Sequence, residues 1–171
     1  RLDALTGEQK AVLQDAAVVG RTFWLGALEE LRADDRDRLP AVLADLEARG
    51  LITRRGESRL SEQAEFAFHH VLVRDVAYES LPKALRAPRH VATARWAEAQ
   101  AGDRRDEIAE LLATHHLQAL HWLDDLGESN GERPAIERDA FRWTRTAGER
   151  ARRLWQQREA VRWLRSALDL G

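Results

Sequence analysis

The sequence contains no cysteine and no methionine, and both absences limit what the chain can be. Without cysteine it can form no disulfide, no thiolate metal site and no thiol nucleophile. A chain that begins at Arg1 and lacks methionine is expected to be a piece of a longer protein. No apolar run reaches the roughly 18 residues that cross a bilayer, and no signal-peptide pattern is present. We therefore expect a cytoplasmic segment that makes no contact with a membrane.

Lysine is scarce as well, and arginine supplies almost all of the positive charge. Only Lys10 and Lys83 are lysines, and the 27 basic residues nearly balance the 29 acidic ones. Residues 132–171 are an exception, with 10 arginines against 6 acids. Domains that bind nucleic acid are usually more basic, with the charge gathered on one face. The charge thus disfavours nucleic acid as a partner and leaves an acidic partner open for the arginine-rich stretch 142–165.

Motifs for enzymatic chemistry are also missing. The sequence has no glycine-rich phosphate loop, no Gly-x-Ser-x-Gly elbow and no His-Glu-x-x-His zinc motif. The densest histidine group is His115, His116 and His121, but His121 lies outside the i/i+4 spacing of helical metal ligands. The pattern predicts a core-facing His115 beside a more exposed His116. We expect a non-catalytic segment without a metal site or a cofactor of its own.

The first half of the chain has the pattern of a winged-helix domain, which we assign to residues 1–81. Thr6 and Gln9 have the spacing of a capping box, so they predict where the first helix begins. Apolar periodicity and glycines predict three short helices, at about 6–20, 23–31 and 37–49. Two runs rich in branched or aromatic residues predict a small β-hairpin, at 51–54 and 65–68. Three short helices followed by a two-stranded wing is the element order of a winged helix.

The second half of the chain has a helical pattern throughout, so the predicted fold class is mainly α. Residues 82–131 are predicted to be a connecting helical region, and the stretch 124–134 has the composition of a linker. Residues 132–171 are predicted to be a helix pair similar to a tetratricopeptide repeat. The three predicted domains are therefore a winged helix, a connecting region and the start of a repeat array.

The repeat assignment rests on the spacing of small residues. Counting Phe141 as the first position of a 34-residue unit, four residues match the small and large positions of the family: Gly148, Ala160, Leu164 and Ala167. Ala147 and Ala151 depart from it, because they stand where the family usually has leucine and tyrosine. One repeat cannot bury its own face, so the array is expected to continue past Gly171.

The stretch FAFHHVLVRDVAYESL, Phe66 to Leu81, joins an alternating apolar run to a helical one. Alternation places Phe66, Phe68 and His70 on one face of a strand, so the two aromatic residues anchor it in the core. Five apolar residues are spaced to bury the following helix: Val71, Leu72, Val76, Ala77 and Leu81. Two interpretations of His70 stay open, since it either caps or packs this corner or is a site residue. His69 has no assigned role.

Together with the winged-helix order, this stretch resembles bacterial STAND-class signal-transduction NTPases. The resemblance rests on RLDALTGEQKAVLQDAAVVGRTFW and FAFHHVLVRDVAYESL, and it covers roughly Arg1–His116. It is closest to the members that couple an ATPase module to adenylate-cyclase or LuxR-type output domains. In that architecture a P-loop ATPase core and a small helical domain precede the winged helix, and helical repeats follow. The resemblance implies a parent protein that binds ATP or ADP in a core outside this chain.

The resemblance also implies a role for one histidine. Related NB-ARC proteins carry a Met-His-Asp motif whose histidine reaches the phosphates of bound ADP and holds the closed, inactive state. With His70 on that histidine, Leu72, Arg74 and Asp75 fall in register, whereas Val71 replaces the aspartate of the motif. Only His70 is carried over, as a cofactor-binding residue of the intact parent. The implied function is a regulatory segment that packs on the nucleotide-binding core of the same polypeptide and relays signal to the helical repeats.

Two other functions stay open. A DNA-binding winged-helix transcription factor presents basic side chains of its third helix to the major groove. Here that helix carries Asp37, Asp45 and Glu47 beside its arginines, and acids weaken the attraction to phosphates. The third interpretation is a protein-interaction scaffold that binds its partner through the tetratricopeptide-like helices.

Overall fold

The computed structural model describes residues 4–58, 60, 63–127 and 131–171. The fold is mainly helical and contains a small antiparallel sheet of three strands. Contacts within the chain divide it into two compact units, one ending at Thr93 and one beginning at Ala94. Within these residues, no helix combines the length and the apolar character that crossing a lipid bilayer requires.

The first unit alternates helices with short strands. Its elements are α1 (Gly7–Val19), β1 (Thr22–Trp24), α2 (Leu25–Leu31), α3 (Leu39–Ala48), β2 (Ile52–Arg54), β3 (Glu65–Phe68), α4 (Val71–Ser80) and the start of α5 (Lys83–Ala101). A 3-10 segment, Ala33–Arg38, lies between α2 and α3. The second unit is helical and contains the end of α5, a 3-10 segment (Gly102–Ile108), α6 (Ala109–Leu126), α7 (Arg133–Arg153) and α8 (Gln157–Leu170).

The start of α1 confirms the predicted capping box. The Thr6 hydroxyl accepts a hydrogen bond from the backbone N–H of Gln9 at 3.2 Å. The Gln9 side-chain oxygen accepts one from the backbone N–H of Thr6 at 3.0 Å. Two donors that the helix itself leaves unpaired are thereby satisfied. At the other end Gly20 has φ +145°, a conformation that L side chains rarely adopt, and α1 stops there.

The two predicted strands are present and pair antiparallel as β2 and β3, but the sheet also has a third strand that the sequence did not predict. β3 is the central strand, and Phe66 lies opposite Phe23 of β1 while Ala67 lies opposite Thr53 of β2. A helix was expected from Phe23, but residues 22–24 are extended and α2 begins at Leu25. The Phe23 ring is fully buried and stacks on the Phe66 ring at 5.7 Å. This contact joins segments far apart in the chain, so local periodicity does not reveal it.

A buried ion cluster connects three elements of the first unit. Asp15 of α1 is 1% exposed, and its carboxylate lies 3.1 Å from Nη1 of Arg32, the residue that follows α2. The other carboxylate oxygen lies 2.9 Å from Nε of Arg89 in α5. Removing one partner of a buried pair leaves an uncompensated charge, so the cluster makes α1, the end of α2 and α5 depend on one another.

The second unit is built by close packing of α7 on both α6 and α8. Gly148 of α7 sits directly against α8, since a Cβ added there would lie 2.7 Å from Cγ of Leu164. Ala147 and Ala151 of α7 are fully buried, as is Ala140. Small side chains therefore allow the two helices to approach closely, as the sequence predicts at Gly148 and Leu164.

Candidate functional site

The candidate site is the junction between β3 and α4. Phe66 and Phe68 hold β3 against the core, and the Phe68 ring lies 5.4 Å from that of Phe23. The backbone N–H of His69 donates to the carbonyl of Leu51 at 3.0 Å. His70 is extended, with φ −127° and ψ 135°, and α4 begins at the next residue. The backbone that carries the two histidines is thus fixed by the core and by the sheet.

The side chains of His69 and His70 are exposed. His70 occupies the N-cap position of α4, yet its imidazole makes no capping hydrogen bond. The centroids of the two rings lie 4.8 Å apart, and the ring planes are inclined by 54°. Capping and core packing therefore do not account for the His70 imidazole. The exposed ring is accessible to a group from outside the described residues.

An exposed apolar strip begins at the same junction. The predicted burial is correct for Ala77 and Leu81, which are 2% and 3% exposed, but wrong for the other three residues. Leu72 is 71% exposed, Val71 51% and Val76 50%, and we call these three residues the α4 strip. One side of α4 packs on α1, so the other side is left uncovered. Contiguous exposed apolar side chains mark contact surfaces more often than isolated ones do.

Polar contacts hold α4 on the body of the first unit. Arg74 donates from Nε to the carbonyl of Ala17 in α1 at 3.1 Å. The Arg74 guanidinium also pairs with Asp75 at 3.0 Å. Near the other end of α4, the amide nitrogen of Gln14 donates to the Ser80 carbonyl at 3.1 Å. The α4 strip is therefore displayed by a helix that is fixed along its length.

Tyr78, the single tyrosine of the chain, connects α4 to α5. Two guanidinium groups lie over its ring, with Arg74 at 5.0 Å and Arg86 at 4.9 Å from the ring centroid. Its hydroxyl lies 2.8 Å from Nε2 of His90, a hydrogen bond between two side chains. Cation–π pairs of this kind contribute about 0.5–2 kcal/mol each. Sequence reasoning missed this cluster, because its members are separated by 4 to 12 residues in two different helices.

The face of α3 that a DNA-binding protein would use remains acidic. Asp45 and Glu47 are exposed on α3, and Asp37 is exposed in the 3-10 segment before it. Glu47 accepts a hydrogen bond at 2.7 Å from the backbone N–H of Arg54, the last residue of β2. Acids in this position oppose binding to a phosphate backbone.

The predicted exposure of His116 is wrong, because His115 and His116 are both buried, at 3% and 2% exposed. Burial lowers the pKa of His116. Asp139 and Glu98 oppose that change, and Arg142 and Arg95 add to it. Nδ1 of His116 has no hydrogen-bond partner among the described residues. In the same part of the chain, no three histidine, aspartate or glutamate side chains gather as metal ligands would.

A second exposed surface lies at the turn between α7 and α8. Trp155 is 86% exposed and Leu154 51%. Trp155 also has φ +59°, a left-handed conformation that is unfavourable for a bulky side chain. Arg152, Arg153 and Arg158 flank it and are exposed. The alternation of apolar and basic side chains does not by itself show which tryptophan is left out of the core.

Comparisons of the chain with family models, with curated proteins and with solved structures gave no match. The β3–α4 junction and the resemblance of its sequence to STAND-class NTPases are therefore the features that bear on function.

Proposed function

We propose that this chain is the winged-helix and early helical-repeat portion of a STAND-type regulator. It has no catalytic role of its own. It packs against the nucleotide-binding core of the same polypeptide, holds the ADP-bound off state and relays signal to the helical repeats. The observation that carries the proposal is the exposed His70 beside the exposed α4 strip, both on a rigidly held junction.

The order of the elements in the first unit supports the winged-helix part of the proposal. Helices α1, α2 and α3 precede the antiparallel strands β2 and β3, which is the order expected for residues 1–81. The additional strand β1 pairs with the free edge of β3, so it extends the wing without changing that order. The close approach of α7 and α8 at Gly148 supports the tetratricopeptide-like part.

The two parts of the surface have complementary chemistry for such a contact. An imidazole N–H donates to a phosphate oxygen, and the hydrogen bond is stronger when the ring is protonated. Each side chain of the α4 strip that becomes buried adds roughly 1 kcal/mol, given its present partial exposure. Because the sequence has no glycine-rich phosphate loop, this chain contributes only one contact to a nucleotide that the core holds.

The test is the substitution His70→Ala in the full-length protein. We expect basal output to rise, because the off state loses its contact with the nucleotide phosphates. Output is measured without the activating signal, and His121→Ala is the matched control because His121 is also exposed. Basal output that stays unchanged in His70→Ala would refute the latch.

The α4 strip has a companion test in the same assay. Leu72→Glu places a charge in the proposed interface and should also raise basal output. Leu85→Glu serves as its control, because Leu85 is another exposed leucine of the first unit. The isolated chain is expected to have negligible affinity for ATP and ADP, and micromolar binding by calorimetry would contradict this part of the proposal.

A protein-interaction scaffold is the second candidate, and the α7–α8 turn favours it. Trp155 and Leu154 are exposed there, and Val161 and Leu168 of α8 are 50% and 79% exposed. Tryptophan and arginine are the residues that dominate many protein interfaces. If removal of residues 132–171 abolishes partner binding and leaves basal output unchanged, the scaffold is favoured over the latch.

A further inference from the structure

The outer face of the sheet carries a row of small side chains. Phe66 and Phe68 point into the core, so the side chain of Ala67 between them lies on the opposite face. In the register of the sheet, Ala67 has Thr22 of β1 on one side and Thr53 of β2 on the other. Two hydroxyl-bearing side chains therefore flank a methyl group, which leaves a depression across the middle of the sheet.

Longer basic side chains surround this depression. We call it the sheet groove, and its volume is about 500 Å³. Its lining includes Arg21, Arg55 and His69 beside the central row of small residues. Among the described residues the lining contains no carboxylate, so its polar groups are guanidinium, imidazole and hydroxyl groups, beside apolar surface from Ala67 and Phe68.

The backbone holds two of the basic residues in place. The carbonyl of Arg21 accepts a hydrogen bond from the Phe68 N–H at 3.0 Å. The N–H of His69 is bonded to the Leu51 carbonyl at the same distance. Within the part of the chain that the structure describes, the Arg21 guanidinium forms no ion pair. A ligand therefore meets an Arg21 guanidinium that does not first have to leave an ion pair within the described residues.

The nearest acid on this face of the sheet does not compete with a ligand. Glu65 is 2% exposed, and Nε1 of Trp24 donates to its carboxylate at 3.1 Å. Arg55 lies 3.5 Å from the other oxygen of that carboxylate. Glu65 is thus turned into the protein and neutralised there, which leaves the Arg21 guanidinium and the His69 imidazole available to a ligand.

A groove that has several hydrogen-bond donors and no carboxylate among its described residues suits an oxyanion. A guanidinium fork suits the paired oxygens of phosphate, and charge-assisted hydrogen bonds are the stronger ones. Phosphate carries more negative charge than a carboxylate, and its further oxygens can accept from the Thr53 hydroxyl as well. We propose that the sheet groove binds a phosphate group, with Arg21 supplying charge and with the His69 imidazole and the Thr53 hydroxyl supplying hydrogen-bond donors. This site gives His69 a role that is separate from the latch role of His70.

The test uses the intact 171-residue chain and inorganic pyrophosphate at constant ionic strength. We expect saturable NMR shifts that are confined to the lining of the groove, with millimolar affinity for so open a site. Arg21→Gln should weaken binding roughly tenfold, the lower end for loss of a hydrogen bond to a charged group. Arg49→Gln is the matched control, because Arg49 is an exposed arginine of the same unit outside the groove.

Two further variants test the other polar side chains of the sheet groove. Thr53→Val preserves the shape of the side chain and the strand preference, and it should weaken binding about fivefold through loss of one hydroxyl donor. His69→Asn should also weaken binding, and its NMR spectrum outside the groove should match that of the native chain. The proposal is overturned if shifts do not saturate, if sodium chloride reproduces them, or if Arg21→Gln binds as the native chain does.

The source of the phosphate is decided by comparing two probes. Tighter binding of pyrophosphate than of a phosphoserine peptide assigns the groove to a small diphosphate, and the reverse order assigns it to a phosphorylated protein. Both outcomes support a phosphate site. Arg21→Gln and Thr53→Val leave both His70 and its neighbour His69 in place, so failure of these two variants leaves the latch intact, and failure of the latch test leaves the groove intact.

Discussion

Histidine occurs at six positions, and the structure gives these residues two kinds of surroundings. Three are buried in helices: His90, His115 and His116. Three are exposed: His69, His70 and His121. The exposed pair at the β3–α4 junction can bind groups from outside the chain. A buried imidazole such as that of His116 instead links the stability of the fold to pH, because burial disfavours its charged form.

The pH dependence of stability follows from the lowered pKa of His116. The unfolded chain binds a proton near the ordinary value of 6.5, whereas the folded chain does so only at lower pH. The unfolded state therefore binds more protons between these two values, and the free energy of unfolding falls as pH decreases below about 6.5. The slope from this one residue is at most about 1.4 kcal/mol per pH unit.

Urea denaturation between pH 8 and pH 5 measures this slope. We expect His116→Leu to have a shallower slope than the native chain, whatever its stability at pH 8. His121→Gln is the control, because that histidine is exposed and should leave the slope as it is. Equal slopes for His116→Leu and the native chain would contradict the prediction.

At the scale of elements, the packing of α7 against α8 depends on small residues at the contact. Gly148 allows Leu164 of α8 to rest on the backbone of α7. Trp143 and Trp163 are buried, which shows that the same helix pair also accommodates the largest side chains. The small residues therefore determine which side of each helix faces the other, and the tryptophans fill the remaining space.

Gly148→Ala should destabilise the chain, although alanine is the better helix former by about 1 kcal/mol. The new Cβ would meet Cγ of Leu164 at 2.7 Å, and overpacking of this kind costs about 1–3 kcal/mol. Urea denaturation should thus show a net loss of roughly 1 kcal/mol. Gly7→Ala is the control, since no atom lies within 4 Å of its added Cβ. A Gly148→Ala chain as stable as the native one would show that α8 can shift freely.

Sequence patterns predicted these elements unequally well. The capping box at Thr6 and the strand Glu65–Phe68 are local features, and both are present. The strand β1 was missed because Phe23 is extended only by pairing with β3, 43 residues later. The α4 strip was missed because apolar spacing shows that Leu72 and Val76 share a side of the helix, but not whether another element covers it.

At the scale of the whole molecule, contacts divide the chain into two units near Thr93. Each unit has its own buried residues, with phenylalanine and leucine in the first, and alanine and tryptophan prominent in the second. Local stability in proteins varies between such cooperative units. The buried Asp15 cluster belongs entirely to the first unit, since Arg32 and Arg89 both precede the boundary.

Asp15→Asn should therefore act on one unit more than on the other. Loss of the carboxylate removes the ion pair of Arg89 and one of the two ion pairs of Arg32, which keeps Asp35, and costs on the order of 3 kcal/mol. Native-state hydrogen exchange is expected to accelerate in residues 4–93 and to change little after residue 94. Asp45→Asn is the control, because that aspartate is exposed on α3. Equal acceleration in both units would show that they unfold as one.

The sequence by itself determined the helical character of the chain, the capping of α1, the strand before His70 and the small residues between α7 and α8. These features depend on neighbouring residues and on periodicity, which a single sequence contains. Only the tertiary structure decided that β1 completes the sheet, that His116 is buried, and that the α4 strip and Trp155 are exposed. Burial depends on what packs from elsewhere in the chain, so periodicity can orient a side chain without showing whether anything covers it.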